Sequence, residues 1–157
     1  MHLDRTQFAG RAAIDSVCSY YESLANEVGV RLVAGGEGDL SADPGLFRRA
    51  LSNVLANAIH HTPSGGAVQV SIRSDGKGHV VEVKDTGSGN AQQHLDKLFD
   101  RFYRADTART NHPTGIGRPI GAGLGLAIVK AIMDLHEGRV AIESVVGKGT
   151  NVELRFP

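Results

Sequence analysis

Apolar side chains along this chain recur with two spacings, one typical of helices and one typical of strands. Recurrence every three or four residues predicts helices at residues 8–28, 44–61 and 124–135, with a short helical piece at 93–102. Alternation of apolar and polar residues predicts strands at 30–33, 67–73, 79–85, 139–144 and 151–156. Helices grouped with such strands indicate an α+β fold, an α/β sandwich in which helices cover one face of a mixed, mostly antiparallel sheet.

Turn-forming residues separate these elements. The glycine-bearing stretch 34–39 predicts a loop. Residues 41–43, followed by Pro44, are typical of a helix start, because proline loses nothing at the first helical position. The stretches 74–78 and 147–149 predict hairpin turns between paired strands.

Composition sets the scale of the domain and excludes some partners. The 157 residues, 41% apolar and 22% charged, fit a single domain spanning residues 1–157. Seventeen basic and seventeen acidic residues balance, so the sequence shows no charge footprint for nucleic acid or an anionic membrane. Cys18 is the single cysteine, which excludes an intrachain disulfide and suits a reducing compartment. No apolar run approaches the roughly 20 residues of a spanning helix, and we expect this piece to be soluble.

The helix predicted at 44–61 carries two amides and an imidazole along one edge of its apolar stripe. Asn53, Asn57 and His60 stand four and three residues apart, so their side chains line up beside the core. Mg²⁺ takes one or two protein oxygens besides waters and substrate phosphates, and a neutral amide can supply them. The structural alternative is that both amides hydrogen-bond the backbone of a neighbouring loop.

Asp85 ends a predicted strand on the same face as Val81 and Val83, which directs its carboxylate towards the apolar layer. A half-buried carboxylate needs donors, and the exocyclic amine of a purine supplies one. Gly87 and Gly89 follow, and they let the backbone approach a flat ligand closely. The alternative is an ordinary Asp-Thr-Gly turn after a strand.

Gly121, Gly123 and Gly125 form a second glycine motif, beside the helix predicted at 124–135. Backbone N–H groups there can hold phosphate oxygens at the positive end of the helix dipole. No Lys-Ser/Thr follows the last glycine and no strand directly precedes the motif, which argues against a P-loop and a dinucleotide fold. A purely structural glycine loop is the alternative.

A long stretch without either spacing, residues 105–120, predicts a mobile lid, because such loops in compact domains are usually functional or disordered. Phe99, Phe102 and Tyr103 come just before it in a chain with 5% aromatic residues. Those that are exposed would form a docking patch for helices of another domain.

Taken in order, these motifs resemble the four sequence boxes of sensor histidine kinases. Residues 53–63 resemble the N box, 85–89 the G1 box, 98–104 the F box and 121–126 the G2 box. Nearly the whole chain, from Phe8 onward, is similar to the catalytic ATP-binding domain of that family, and its details are most similar to the heavy-metal sensor kinases. The resemblance implies a Bergerat (GHKL) fold, with ATP and Mg²⁺ between the helical layer and a mobile lid.

The resemblance also implies roles for individual residues. Asn57 would be the principal Mg²⁺ ligand with Asn53 supporting it, and Asp85 would accept a hydrogen bond from the adenine amine. Arg104 would reach the γ-phosphate, which makes Arg104 and Asn57 the implied catalytic residues. The other implied nucleotide-binding residues are His60, His61, Gly87, Gly89, Gly121, Gly123, Leu124 and Gly125.

Several positions depart from the family pattern. His60 stands where relatives commonly have Lys or Arg, and we expect nucleotide affinity to rise as the pH falls towards 6 and the imidazole gains a proton. Asn90 and residues 92–93 make the outer wall of the base pocket less like that of the family. Asn53 occupies the position of the glutamate general base in hydrolytic relatives, so we do not expect efficient ATP hydrolysis by this chain alone.

Phosphoryl transfer to an external nucleophile therefore fits the sequence better. In the family that nucleophile is a histidine on separate dimerisation helices, and we assign none of the seven histidines here to that role. We predict the catalytic domain of a protein-histidine phosphotransferase, a cytoplasmic domain of a bacterial inner-membrane sensor kinase without direct membrane contact. Its partners would be the dimerisation helices and a response regulator. The alternatives are a serine kinase or anti-sigma factor of the same fold, a regulatory nucleotide-binding module, or a metal-binding module that uses scattered histidines.

Overall fold

The computed structural model describes residues 3–87, 120–145 and 147–157. The helices of this part are α1 (Gly10–Glu27), α2 (Pro44–His61) and α3 (Ile120–Leu135). The strands of this part are β1 (Thr6–Ala9), β2 (Arg31–Gly36), β3 (Asp39–Ala42), β4 (Ala67–Ser74), β5 (His79–Asp85), β6 (Arg139–Val145) and β7 (Gly149–Phe156).

Five strands form the main sheet, in the order β2-β4-β5-β7-β6. The β2–β4 pair is parallel, and the other three neighbouring pairs are antiparallel. β1 and β3 pair antiparallel in a separate two-stranded sheet. The predicted mixed, mostly antiparallel sheet is therefore confirmed, and the small second sheet adds to it.

The core lies between one face of the main sheet and the three helices. Register aligns Val70 with Val83 and Val83 with Val152, so inward side chains form continuous rows across the strands. Phe47 of α2 joins the layers, because its ring lies 5.8 Å from that of Phe8 and 5.8 Å from that of Phe156. The predicted α+β sandwich, with helices against one face of the sheet, is confirmed.

The start of α2 follows directly from its sequence. Asp43 has an extended backbone and its Oδ1 accepts a hydrogen bond from the Leu46 N–H at 3.0 Å, while Pro44 occupies the first helical position. The helix ends at His61, as the sequence predicts, and Thr62 follows in an extended conformation. The edge that carries Asn53 and Asn57 is thus anchored by a cap at one end and a defined stop at the other.

Several sequence predictions about local structure are wrong. The loop predicted at 34–39 is instead strand at both ends, because residues 34–36 continue β2 and residue 39 begins β3. The helix start expected at 41–43 lies partly in β3, and β1 was not predicted, because residues 8–9 were assigned to the first helix. β1 and β3 have only four residues each, so alternation within them is a weak signal, and pairing between Phe8 and Leu40 stabilises them across a long stretch of sequence. α3 begins at Ile120, four residues before the expected start, so Gly121 and Gly123 lie in a helix and not in a loop.

The helix predicted at 93–102 and nearly all of the lid predicted at 105–120 lie outside the described residues. The aromatic docking patch at Phe99, Phe102 and Tyr103 lies outside them too, and it stays a prediction.

Candidate functional site

The polar edge of α2 carries the first set of predicted site residues. Asn53 and Asn57 are half-buried, whereas His60 and His61 are exposed. The two imidazoles contact each other edge to face, with ring centroids 5.1 Å apart. The helical spacing predicted from the sequence therefore places amides beside the core and imidazoles towards solvent at the end of the same helix.

The amide oxygen of Asn57 is buried and has no hydrogen-bond partner among the described residues. A buried acceptor without a donor costs about 1–3 kcal/mol, so such groups in folded proteins usually serve a ligand, an ion or a water. An amide oxygen is also one of the few neutral protein groups that Mg²⁺ accepts. The orphaned oxygen of Asn57 thus fits the role of a cation ligand.

Asp85 ends β5 on the buried face of the sheet and is 8% exposed. Its Oδ1 accepts hydrogen bonds from the backbone N–H groups of Gly87 at 2.8 Å and Thr150 at 3.3 Å. Both bonds with described residues end on Oδ1, which leaves Oδ2 open to a donor from a ligand. Burial raises the pKa of the Asp85 carboxyl, and the two backbone hydrogen bonds oppose that rise.

The turn after Asp85 packs tightly against the end of α2. A β-carbon placed on Gly87 would lie 2.5 Å from the carbonyl oxygen of His61 and 2.8 Å from Oδ1 of Asp85. Real β-carbons do not approach backbone oxygen so closely, so this position requires glycine. The close packing brings the carboxylate motif to the end of the helix that carries the asparagines.

The glycine motif of α3 meets the same helix from another side. A β-carbon placed on Gly125 would lie 3.4 Å from Oδ1 of Asn53, which is ordinary van der Waals contact. Gly125 is buried, and α2 and α3 pack against each other. Three of the four predicted motifs therefore converge on the polar edge and C-terminal end of α2.

The histidine pair adds a titratable group to this region. Although His61 retains solvent contact, burial lowers its pKa, and the neighbouring His60 adds a smaller like-charge effect in the same direction. A neutral His61 imidazole is therefore favoured at pH 7. Protonation of His60 is expected to raise nucleotide affinity as the pH falls, and this stays a prediction.

Some sequence-predicted site residues lie outside this description. Gly89 and Arg104 fall between residues 87 and 120, outside the described part. For Gly121, Gly123 and Leu124 the structure gives the helical backbone of α3 and nothing further.

Thr150 is a site residue that the sequence reasoning did not assign. Its backbone N–H donates to Asp85, and its Oγ1 lies 2.9 Å from Oγ of Ser144. A donor of this kind comes from the backbone of a distant strand, so no residue type in the sequence signals it. The Gly149-Thr150 pair before the last strand is the feature that could have drawn attention to it.

In the family the phosphoacceptor histidine precedes Glu or Asp, and His136 precedes Glu137, a match that the assignment of no histidine to this role had overlooked. The His136 side chain is 0% exposed, and both ring nitrogens are engaged in hydrogen bonds. An acceptor of a phosphoryl group must reach its donor, so this fold excludes His136 from that role.

Two further observations bear on the alternatives. In residues 3–87, 120–145 and 147–157, no three His, Cys, Asp or Glu side chains gather as they would around a metal ion. Within the same residues, every helix is too short or too polar to cross a membrane.

Comparison with known proteins places this architecture in a family. Residues 42–157 match the model of the histidine kinase-, DNA gyrase B- and HSP90-like ATPases. The chain belongs to that ATPase family.

Its curated relatives are more specific. The chain is 36% identical over 156 residues to the sensor protein IrlS of Burkholderia pseudomallei, covering 99% of this chain and 32% of that protein. It is 39% identical over 147 residues to the sensor histidine kinase CusS of Escherichia coli K12, covering 92% and 29%. The chain thus matches the histidine kinase catalytic domain of these sensors over nearly its whole length, and it spans about a third of their length. The resemblance inferred from the sequence boxes is confirmed.

Solved structures agree on the fold. The catalytic domain of the histidine kinase ThkA, in a nucleotide-free form, superposes with a TM-score of 0.81 at 21% identity, covering 98% of this chain and 95% of that one. Full-length ShkA in complex with AMPPNP gives 0.85 at 25% identity, covering 100% of this chain and 32% of that one.

Proposed function

We propose that this domain binds Mg²⁺-ATP and transfers the γ-phosphate to a histidine on separate dimerisation helices of a two-component sensor kinase. The observation that carries the proposal is the buried Oδ1 of Asn57, which has no hydrogen-bond partner in the described part of the chain, on the helix edge that lies close to Gly125 and ends beside the Asp85 turn. A polar atom kept in that condition is costly unless a ligand completes it.

Each described residue has a role suited to its surroundings. Asn57 is the principal Mg²⁺ ligand, with Asn53 supporting it, because both present amide oxygen at the core boundary. Asp85 accepts a hydrogen bond from the adenine amine through Oδ2, while Gly87 lets the backbone close against the base. Bound Mg²⁺ would neutralise charge on the phosphates.

The remaining site residues keep the roles that the family resemblance implies. Arg104 stabilises charge on the γ-phosphate, since a guanidinium forms charge-assisted hydrogen bonds with phosphate oxygens. The residues that complete the nucleotide contacts are His60, His61, Gly89, Gly121, Gly123, Leu124 and Gly125.

Transfer to an imidazole is favoured over hydrolysis by the side chain at position 53. Asn53 lies close to the start of α3 and occupies the position at which hydrolytic relatives have a glutamate base. An amide does not accept a proton from water. In the transfer, a nitrogen of the acceptor histidine attacks the γ-phosphorus, the bond from that phosphorus to the β,γ-bridging oxygen breaks, and ADP leaves. His136 is buried and so is removed as the acceptor, and the proposal assigns the acceptor histidine to another domain.

The wider assignment follows the family. The dimerisation helices of the same kinase would supply the histidine, and a response regulator would receive the phosphoryl group next. The parent protein would be a bacterial inner-membrane sensor of the heavy-metal subfamily, with this domain on the cytoplasmic side.

Calorimetry with Mg²⁺-ATP tests nucleotide binding, using Asn57→Ala and a matched control, Asn26→Ala, at an exposed position of α1. We expect wild type and Asn26→Ala to bind alike, and Asn57→Ala to lose most of the Mg²⁺-dependent affinity. Mixing the same proteins with the dimerisation helices and γ-labelled ATP then tests transfer. Equal binding by all three proteins would remove Asn57 from the site, and label on a serine of a partner would favour the serine-kinase alternative.

A further inference from the structure

The side chain of His136 connects three elements at the end of α3. Its Nδ1 lies 2.8 Å from the Ile132 carbonyl oxygen, and its Nε2 lies 3.0 Å from the backbone nitrogen of Asp43. Its ring also meets Phe156 of β7 edge to face, with centroids 5.5 Å apart. The side chain is fully buried, so water supplies none of these contacts.

The hydrogen bonds define the state of the ring. The backbone N–H of Asp43 can only donate, so Nε2 accepts and carries no proton. Nδ1 therefore carries the proton and donates it to the Ile132 carbonyl. The neutral ring is both a donor to its own helix and an acceptor for the residue that caps α2.

Asp43 is the point at which α2 is fixed. Its Oδ1 accepts from the Leu46 N–H at 3.0 Å, and its Oδ2 accepts from the Asp4 N–H at 2.8 Å. The Asp43 N–H goes to His136, so the N-cap of α2 is held directly by the end of α3. The Arg5 guanidinium adds a longer bridge between the same regions, because it donates to the carbonyl oxygens of Ser41 and His136 at 3.4 Å each.

A second contact between the two helices lies at the nucleotide site. Gly125, near the start of α3, lies close to Asn53 of α2, because a β-carbon placed on it would be 3.4 Å from Asn53 Oδ1. Asp43 and Asn53 are ten residues apart and Gly125 and His136 are eleven apart, which correspond to about 15 and about 16.5 Å of helix. The order of the contacts is reversed along the chain, so the helices run antiparallel. The distance between the two contacts is nearly the same along α2 as along α3.

We propose that His136 is a positioning residue that sets the register of α3 along α2, and so places the glycine motif against the asparagine edge. The inference rests on the proposed nucleotide function and extends it to a residue remote from the ligand. A slip of α3 along α2 would separate Gly125 from Asn53, although no ligand-contacting residue is altered.

Two polar substitutions separate positioning from simple packing. In His136→Gln the side-chain oxygen reaches the former place of Nε2 and can still accept from Asp43. In His136→Asn the amide ends near the former place of Nδ1, so the bond to Asp43 is lost. Ile14→Val serves as a packing control, because Ile14 is fully buried on α1, whereas α3 packs mainly against α2, β6 and β7.

We expect His136→Asn to weaken Mg²⁺-ATP binding by about 3- to 30-fold, with His136→Gln and Ile14→Val within about twofold of wild type. Affinities are compared at a temperature where urea titration shows every variant folded. In the nucleotide-free protein, NMR cross-peaks between the Asn53 amide protons and the Gly125 α-protons should weaken only in His136→Asn.

The outcomes separate the two proposals. Unchanged cross-peaks in His136→Asn would overturn the register inference, whatever happens to affinity. Equal affinity loss in His136→Asn and Ile14→Val would also overturn it, because packing alone would then explain the effect. Absence of Mg²⁺-ATP binding by the wild type would instead refute the proposed function, while the cross-peaks would still decide the register.

Discussion

Replacement of Asp85 by asparagine separates the structural role of this side chain from its role in binding. In the wild type, the backbone N–H groups of Gly87 and Thr150 donate to Oδ1 of Asp85 at 2.8 and 3.3 Å. In the Asp85→Asn variant, the amide oxygen can still accept both hydrogen bonds. The second terminal atom changes from a carboxylate oxygen to an N–H₂ group. The turn is therefore preserved, while the atom assigned to the adenine amine becomes a donor that faces a donor.

The size of the effect follows from the charge and burial of the acceptor. A hydrogen bond to a charged group contributes about 1.5–3 kcal/mol, which corresponds to about 10- to 150-fold in Kd. We therefore expect Asp85→Asn to weaken Mg²⁺-ATP binding by at least about tenfold.

The same substitution should not lower the free energy of unfolding, although it weakens nucleotide binding. Burial raises the pKa of Asp85, so the folded state holds the proton more tightly than the unfolded chain does. This group therefore stabilises the fold most when protonated, and that contribution is lost as the pH rises from the unfolded pKa through the raised folded pKa. At pH 7 the asparagine variant avoids the penalty of a buried charge, and we expect its free energy of unfolding to equal or exceed that of wild type.

Calorimetry with Mg²⁺-ATP and urea titration at pH 7 measure the two quantities on the same samples. Glu82→Gln is the matched control, because Glu82 lies on the same strand with its side chain on the other face of the sheet, bonded to Asn151. Binding by folded Asp85→Asn within twofold of wild type would refute the assignment of Asp85 to the base. A large loss of stability in Asp85→Asn would show instead that the carboxylate serves the turn.

Three further predictions concern the scaffold. Gly87→Ala should lower the free energy of unfolding by about 1–3 kcal/mol, because its β-carbon would lie 2.5 Å from a backbone oxygen, whereas Gly35→Ala, with nothing within 4 Å, should not lower it; urea titration compares them. Asp43→Ala should cost about 1 kcal/mol through loss of the helix cap. Hydrogen bonds, chiefly from the Asp4 N–H, lower the pKa of Asp43, so its contribution is present above the unfolded pKa, and the difference between variant and wild type should disappear as acid titrates the folded carboxyl. Burial raises the pKa of Cys18 to about 11, so the native thiol should react with iodoacetamide at pH 8 far more slowly than the urea-unfolded thiol; equal rates would contradict its burial.

The sequence was sufficient for the parts of the site that depend on one element. Helical spacing placed Asn53 and Asn57 at the core boundary, and strand alternation turned Asp85 inward, because each follows from the period of a single segment. Family resemblance supplied the roles, which spacing alone left open.

The parts that depend on two elements could not be predicted in this way. The donor from Thr150 to Asp85 requires the β5–β7 register, and the contact between Gly125 and Asn53 requires the packing of α3 on α2. The early start of α3 could not be predicted either, because glycines disfavour helix and local propensity therefore argues against extending it to residue 120. Local patterns contain neither kind of information.

The described wall of the site is positioned by the protein alone. Asp85 is held by backbone donors from two segments, Gly87 is closed against His61, and α2 is capped by Asp43, each through contacts within the chain. Groups fixed in this way lose little conformational freedom on binding, so their interactions with a ligand are not offset by the cost of ordering them. Affinity changes caused by conservative substitutions in this wall therefore report contacts with the ligand itself, provided that the variant keeps the same register between α2 and α3.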